Sequence, residues 1–234
     1  MQILSIRILL VAFTLISLKP LAWAEVSLPS VFADHMVLQR DMRVPIWGKA
    51  DAGEEVTVKF GKQTHSATAD DAGKWLVKLE RLQANTEPQE LRVIGKNTIT
   101  FKDVLVGEVW LGSGQSNMEW NMTMTENPEK DIAEANHPHI RLFLVPKVKA
   151  NQPADDLEAE WKVCTPETVP SFSGVAYFFG RELHKELDVP VGIIASSWGG
   201  SRIEPWIPTV EPKEGYSQMY NAMIAPLVRY ALRG

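Results

Sequence analysis

The chain has 234 residues, 45% hydrophobic and 23% charged, with 15 Gly, 15 Pro and one Cys. That composition excludes a disordered or collagen-like chain, and a single thiol excludes an internal disulfide, so the fold must rest on apolar burial. A formal charge of −5 gives no electrostatic reason to expect a nucleic-acid or anionic-membrane partner.

At the N-terminus, Arg7 precedes an apolar run from Ile8 to Leu18, and Pro20 is followed by the small-x-small triplet Ala22-Trp23-Ala24. This pattern predicts a secretory signal peptide over residues 1–24, cut after Ala24. An apolar core of about 11 residues is too short for a hydrocarbon layer that takes about 20. The expected product is secreted or periplasmic, with no membrane partner once the signal is removed. It would begin at Glu25 and carry 22 basic against 29 acidic side chains, a net −7.

Residues 25–103 read as a small antiparallel β-sandwich. Glu55–Phe60 alternates apolar and polar, Gly61-Lys62 turns, 64–69 runs back, Asp70–Gly73 turns again, and Lys74–Leu79 repeats the alternation. Further strands are expected at 90–94 and 98–102. Strands every ten residues or so, with no helical stretch between them, suggest a sandwich. Trp47, Phe60 and Trp75 are read as its core, a sugar-stacking platform being the alternative.

The period changes after Asp103, and residues 104–234 read as an α/β domain. Val104–Leu111 is almost continuously apolar, as a strand buried on both faces would be. Second and third strands are expected at 140–145 and 191–195. Before the third, Ser173 would cap a helix carrying Tyr177, Phe178, Leu183 and Leu187 on one face. Strand, helix and strand in this order imply a three-layer α/β sheet. Residues 147–170 show no period and are left unassigned. Residues 219–232 read as an amphipathic helix with Met219, Met223, Leu227 and Tyr230 on one face and Gly234 as its cap.

The candidate chemistry sits at strand ends. Gly112-Ser113-Gly114-Gln115-Ser116-Asn117-Met118 follows the first buried strand, where an open α/β sheet forms its ligand crevice. Small residues there allow a sharp turn that presents the Ser116 hydroxyl; a plain Gly/Ser loop is the simpler reading. Ser196-Ser197-Trp198-Gly199-Gly200-Ser201 follows the third strand, and its glycines would let backbone N–H groups approach a substrate oxygen. The simpler reading there is a tight turn.

Gly114-Gln115-Ser116-Asn117-Met118-Glu119-Trp120 and Ser197-Trp198-Gly199-Gly200-Ser201-Arg202-Ile203-Glu204-Pro205-Trp206 together resemble the sialate O-acetylesterase family of the SGNH-hydrolase superfamily. Val31–Arg40, Val44–Gly48, Gly53–Val58 and Gly73-Lys74-Trp75 resemble that family's N-terminal β module. The resemblance implies an SGNH/flavodoxin-like three-layer α/β/α domain, here C-terminally incomplete, behind the β-sandwich. It implies Ser116 as nucleophile and one oxyanion N–H, with Gly200, or Gly199 in its place, as the second donor. Gln115, Asn117 and Glu204 would contact substrate. The implied reaction removes O-acetyl groups from sialic acids or related acetylated sugars through an acetyl-enzyme, with no metal or organic cofactor.

Two segments of the family pattern are missing: Gly-Glu-Ser-Asn, whose Asn completes the oxyanion hole, and Asp-x-x-His, which supplies the base. The residues three before His35, His65, His137, His139 and His184 are Phe32, Lys62, Glu134, Asn136 and Arg181. A serine without a base is a weak nucleophile. The sequence therefore reads as the N-terminal part of an esterase with impaired activity, with a separately encoded C-terminal half as a possible partner. A non-catalytic glycan-binding protein, or an inactive fragment, is the competing expectation.

Overall fold

The computed structural model describes residues 25–209 and 213–234; the expected signal peptide lies outside them. Turn residues cut the N-terminal part into short strands: β1 (Val37–Gln39), β2 (Val44–Lys49), β3 (Glu55–Phe60), β4 (Gln63–Thr68), β5 (Lys74–Leu79) and β6 (Asn85–Ile94). In β3 and β5 every second side chain is buried, so Val56, Val58 and Phe60 face Trp75, Val77 and Leu79 within one core. β2 pairs with β5 as a separate two-stranded sheet. Trp47, Phe60 and Trp75 are 7%, 3% and 2% exposed, which makes them core side chains.

The next strand, β7 (Thr98–Gly114), runs 17 residues. Sequence alone suggested two strands broken near Asp103. The break is instead a bulge: the pairing of β6 with β7 steps from Gln89↔Val104 to Leu91↔Phe101, and Asp103 takes φ 54°. β7 then continues. Its first part is antiparallel to β6, residues 105–107 run parallel to β1, and residues 108–114 run parallel to the last strand of the fold. The expected domain boundary at 103/104 thus lies inside a continuous strand.

Beyond β7 come a single turn of helix, α1 (Ser116–Glu119), then α2 (Pro128–Ala133), β8 (His137–Leu144), β9 (Trp161–Cys164), α3 (Gly174–Leu187) and β10 (Val191–Ser197). Among the described residues these make an eight-stranded mixed sheet in the order β4-β3-β6-β7-β10-β8-β9, with β1 also on β7. β9 accounts for part of the unassigned 147–170 stretch, pairing antiparallel to β8. α3 begins as expected: the Ser173 hydroxyl accepts the Ala176 N–H at 3.2 Å. Ala176 and Tyr177 of α3 pack on Ile140, Leu142, Val191, Ile193 and Ala195, forming a second core on one face of the sheet.

The other face is covered by the C-terminal segment. Met219, Met223, Leu227 and Tyr230 are buried against Val109, Phe143 and Ile194, so the expected apolar set is the right one. The expected single helix over 219–232 is not formed: a π turn (Tyr220–Ile224) passes into a 3-10 turn (Ala225–Leu227). Pro226 has no N–H to give to a continuing helix and its ring crowds the preceding turn. Gly234 is no helix cap either. Its carbonyl accepts the Leu111 N–H at 2.9 Å while the Arg233 N–H donates to the Val109 carbonyl at 2.8 Å, pinning the segment along β7.

Candidate active site

The carboxyl ends of β7 and β10 lie side by side, with Gly114 in register with Ser197 and the Trp198 N–H donating to the Gly114 carbonyl at 3.0 Å. Both strands are parallel, so the loops that follow them emerge on the same edge. After β7 the chain turns sharply at Gly114, whose φ of 152° and whose approach to Met118 (an added Cβ would lie 3.0 Å from its Cγ) favour glycine. Ser116 is the first residue of α1 and is exposed.

Four of the expected residues meet there. The Ser116 hydroxyl donates to Gln115 Oε1 at 3.0 Å, and the same oxygen accepts the Ser116 N–H at 3.3 Å. From the loop after β10, the Gly200 N–H donates to Ser116 Oγ at 3.3 Å. Gly200 has φ 73°, a conformation that L side chains rarely adopt. The Gly199 N–H turns elsewhere and donates to the Glu119 carboxylate, whose other oxygen is ion-paired to Lys147. The Lys147 ammonium first, and the Gly199 N–H second, hold the Glu119 carboxyl below its ordinary range. Glu119 and Lys147 were not singled out from the sequence. Glu119 sits inside the Ser116 motif, but nothing local marks Lys147, 28 residues further on.

The remaining expected residues flank this centre. Asn117 is exposed on α1. Glu204 opens a short 3-10 turn and lines a cavity of about 440 Å³ together with Gly199, Gly200, Arg202 and Tyr216. Its Oε2 is buried with no hydrogen-bond partner among the described residues. A cavity of about 530 Å³ walled by Trp47, Lys49, Asp155, Pro226 and Arg229 contains none of the expected site residues.

No histidine stands among the described partners of Ser116 Oγ. His137 and His139 enter the sheet at the start of β8, where Ile140 is in register with Val191, whereas Gly114 is in register with Ser197 at the other end. That separation is about 20 Å at about 3.3 Å per residue. His184 Nδ1 is bonded to the Val189 carbonyl (2.7 Å), also at the far end, and His35 to Asp103 (2.6 Å). His65 lies on β4 beside Gln63. Among the described residues, no group of three or more His, Cys, Asp or Glu could hold a metal ion, and no helix is long and apolar enough to cross a membrane.

This mixed α/β sheet is that of a carbohydrate acetylesterase. The crystal structure of such an enzyme from Xanthomonas citri superposes with a TM-score of 0.85 at 38% identity, covering 90% of this chain and 50% of that one. Residues 106–232, a span that contains every expected site residue, match the family model for "carbohydrate esterase, sialic acid-specific acetylesterase". The chain belongs to that family of carbohydrate esterases. It is similar to sialate O-acetylesterase of Homo sapiens, at 31% identity over 88% of this chain and 46% of the human protein. The Mus musculus sialate O-acetylesterase is also 31% identical, over 76% of this chain and 36% of the mouse protein. The chain thus spans about half the length, or less, of the relatives it matches.

Proposed function

We propose that this chain carries the nucleophile and part of the oxyanion hole of an exported carbohydrate O-acetylesterase acting on acetylated sialic acids or related acetylated sugars. The observation that carries the reading is the Gly200 N–H aimed at Ser116 Oγ from a neighbouring strand end, 3.3 Å away. A donor at that distance from the attacking oxygen is placed to meet the carbonyl oxygen of an ester attacked there. The sheet with α3 on one face and the C-terminal turns on the other supports an SGNH-type three-layer arrangement.

In this mechanism Ser116 Oγ attacks the acetyl carbonyl carbon. The oxygen that becomes negative takes the N–H of Ser116, displacing Gln115 Oε1, together with the N–H of Gly200. The sugar alcohol then departs with a proton, and water releases acetate from the acetyl-serine. Gly200 is favoured over Gly199 as second donor because the Gly199 N–H is already given to Glu119. Gln115, Asn117 and Glu204 line the approach of the sugar. The proton of Ser116 needs a base, and we assign it to an Asp-x-x-His element, supplied by a C-terminal half, rather than to any of the five histidines present. The apolar run before Ala24 supports export.

The test joins this chain to a C-terminal half bearing Asp-x-x-His and follows acetate release from an O-acetylated sugar. Turnover should appear on joining and fall by about 1,000-fold or more in Ser116→Ala. An unchanged rate in that variant would overturn the assignment of Ser116. Vigorous Ser116-dependent turnover by the chain alone would overturn the assignment of the base.

A further inference from the structure

We propose that Glu119 is a positioning residue of the oxyanion hole: its carboxylate, anchored by Lys147, accepts the Gly199 N–H and thereby aims the next N–H, that of Gly200, at Ser116 Oγ. The inference rests on the esterase reading above and adds to it the device that sets the donor.

Two consecutive glycines, the second at φ 73° with open space around it, make a loop with little intrinsic preference for one direction of its N–H groups. The turn's own bond, from the Ser201 N–H to the Trp198 carbonyl at 3.3 Å, uses neither the Gly199 nor the Gly200 N–H, and the partners of both lie outside the loop. Ser116 and Glu119 open and close the single turn of α1, three residues apart, a spacing that brings side chains onto one face of a helix. The turn that carries the nucleophile therefore also carries the clamp, and the two reach adjacent N–H groups of the same loop. Glycine at 199 is what lets the carboxylate close in, since a Cβ there would stand 2.9 Å from Glu119 Oε2 and 3.5 Å from Ser116 Oγ.

Lys147 completes the arrangement from the segment just after β8. The clamp thus ties together the outlets of three parallel strands: β7 through α1, β10 through Gly199, and β8 through Lys147. An ordinary exposed ion pair of this kind would contribute little to stability. Here one carboxylate oxygen is committed to a backbone N–H, so its effect falls on the direction of a peptide group. The described hydrogen bonds of the attacking oxygen go to Gln115 and Gly200, not to Glu119.

The test uses two readouts on the same variants. In the 15N-labelled chain, the Gly199 and Gly200 amide signals should move together on acidification, with a midpoint below that of a free glutamate. The movement should vanish in Glu119→Ala and Glu119→Gln, shift to higher pH in Lys147→Met, and persist in Ser116→Ala. In the joined enzyme, Glu119→Ala should lower kcat about 10- to 100-fold with KM little changed. Glu119→Gln, which can still accept the Gly199 N–H, should recover most of that loss. Amides that ignore the Glu119 titration, or a folded Glu119→Ala enzyme with unchanged kcat, would overturn the proposal. If no variant shows Ser116-dependent turnover, the esterase reading fails by itself, while coupled movement of both amides still supports the clamp.

Discussion

Asp103 takes a left-handed backbone conformation at the bulge of β7, and its carboxylate receives Arg141 through both guanidinium ends (2.7 and 3.0 Å) and His35 at 2.6 Å. The Arg141 side chain is only 4% exposed, so Asp103 is the counter-charge of a nearly buried cation. Burial would raise the Asp103 pKa; hydrogen bonds from Arg141 and then His35 outweigh it, and the net displacement is downward. A carboxyl depressed in the folded state contributes stability that is fully present above its unfolded value and is lost as pH falls through its lower folded value. Asp103→Ala should therefore cost about 3 kcal/mol at pH 7, mainly by leaving Arg141 unpaired. Asp103→Asn, which tolerates the backbone conformation, should cost less. Urea midpoints between pH 7 and pH 3 check both, and the acid-induced loss should be shallower in either variant than in the parent. None of this was legible in the sequence, where Asp103 marked only a change of period. Its partners lie 38 and 68 residues away.

At the scale of elements, several local patterns match the structure where one strand or helix buries one face, although Leu187, expected on the apolar face of α3, is 42% exposed and the buried face is made by Gly174, Ala176, Tyr177 and Gly180. The alternation of Glu55–Phe60 and Lys74–Leu79, the cap at Ser173 and the apolar run into Ser116 all reappear as β3, β5, α3 and β7. The errors fall where a tertiary contact overrides the local signal. The 98–102 and 104–111 stretches fuse because Asp103 can absorb a bulge and β1 and β10 occupy the rest of the β7 edge. The 219–232 segment buries its expected side chains without forming a helix, because Pro226 interrupts it and residues 233–234 are drawn to β7. Gly107 shows how tightly these elements meet: an added Cβ would lie 1.8 Å from the Pro190 carbonyl oxygen, at the entry to β10. Backbone cannot move aside as a side-chain tip can, so Gly107→Ala should cost at least about 3 kcal/mol, measured as a fall in urea midpoint at unchanged slope.

At the scale of the molecule, the expected division at residue 103 meets a core that does not divide there. Val56, Trp75 and Leu91 of the N-terminal strands share one contiguous apolar cluster with Phe143, Ile194, Met223 and Tyr230, and β7 runs through both halves. Glu108, 3% exposed in its side chain, fastens Arg40 after β1 and Arg233 near the chain's end to the same strand. Shared core and shared strand predict a single cooperative transition. Tryptophan fluorescence and far-UV circular dichroism should give coincident urea curves, and two separated transitions would show instead that the halves unfold independently.

The sequence by itself determined the periods of the strands, the cap of α3, the apolar set of the C-terminal segment and the motifs that gather Ser116, Gly199 and Gly200 as candidates. Those features are written in side chains two to four residues apart, or in the conformational needs of glycine and proline. Only the tertiary structure decided which N–H of the glycine pair faces Ser116, that Glu119, ion-paired to Lys147, accepts the other, and that no histidine among the described residues is a hydrogen-bond partner of the hydroxyl. Each depends on strand order and register, which set residues 80 and 84 positions apart within hydrogen-bond reach while keeping His137 and His139 at the opposite end of the sheet.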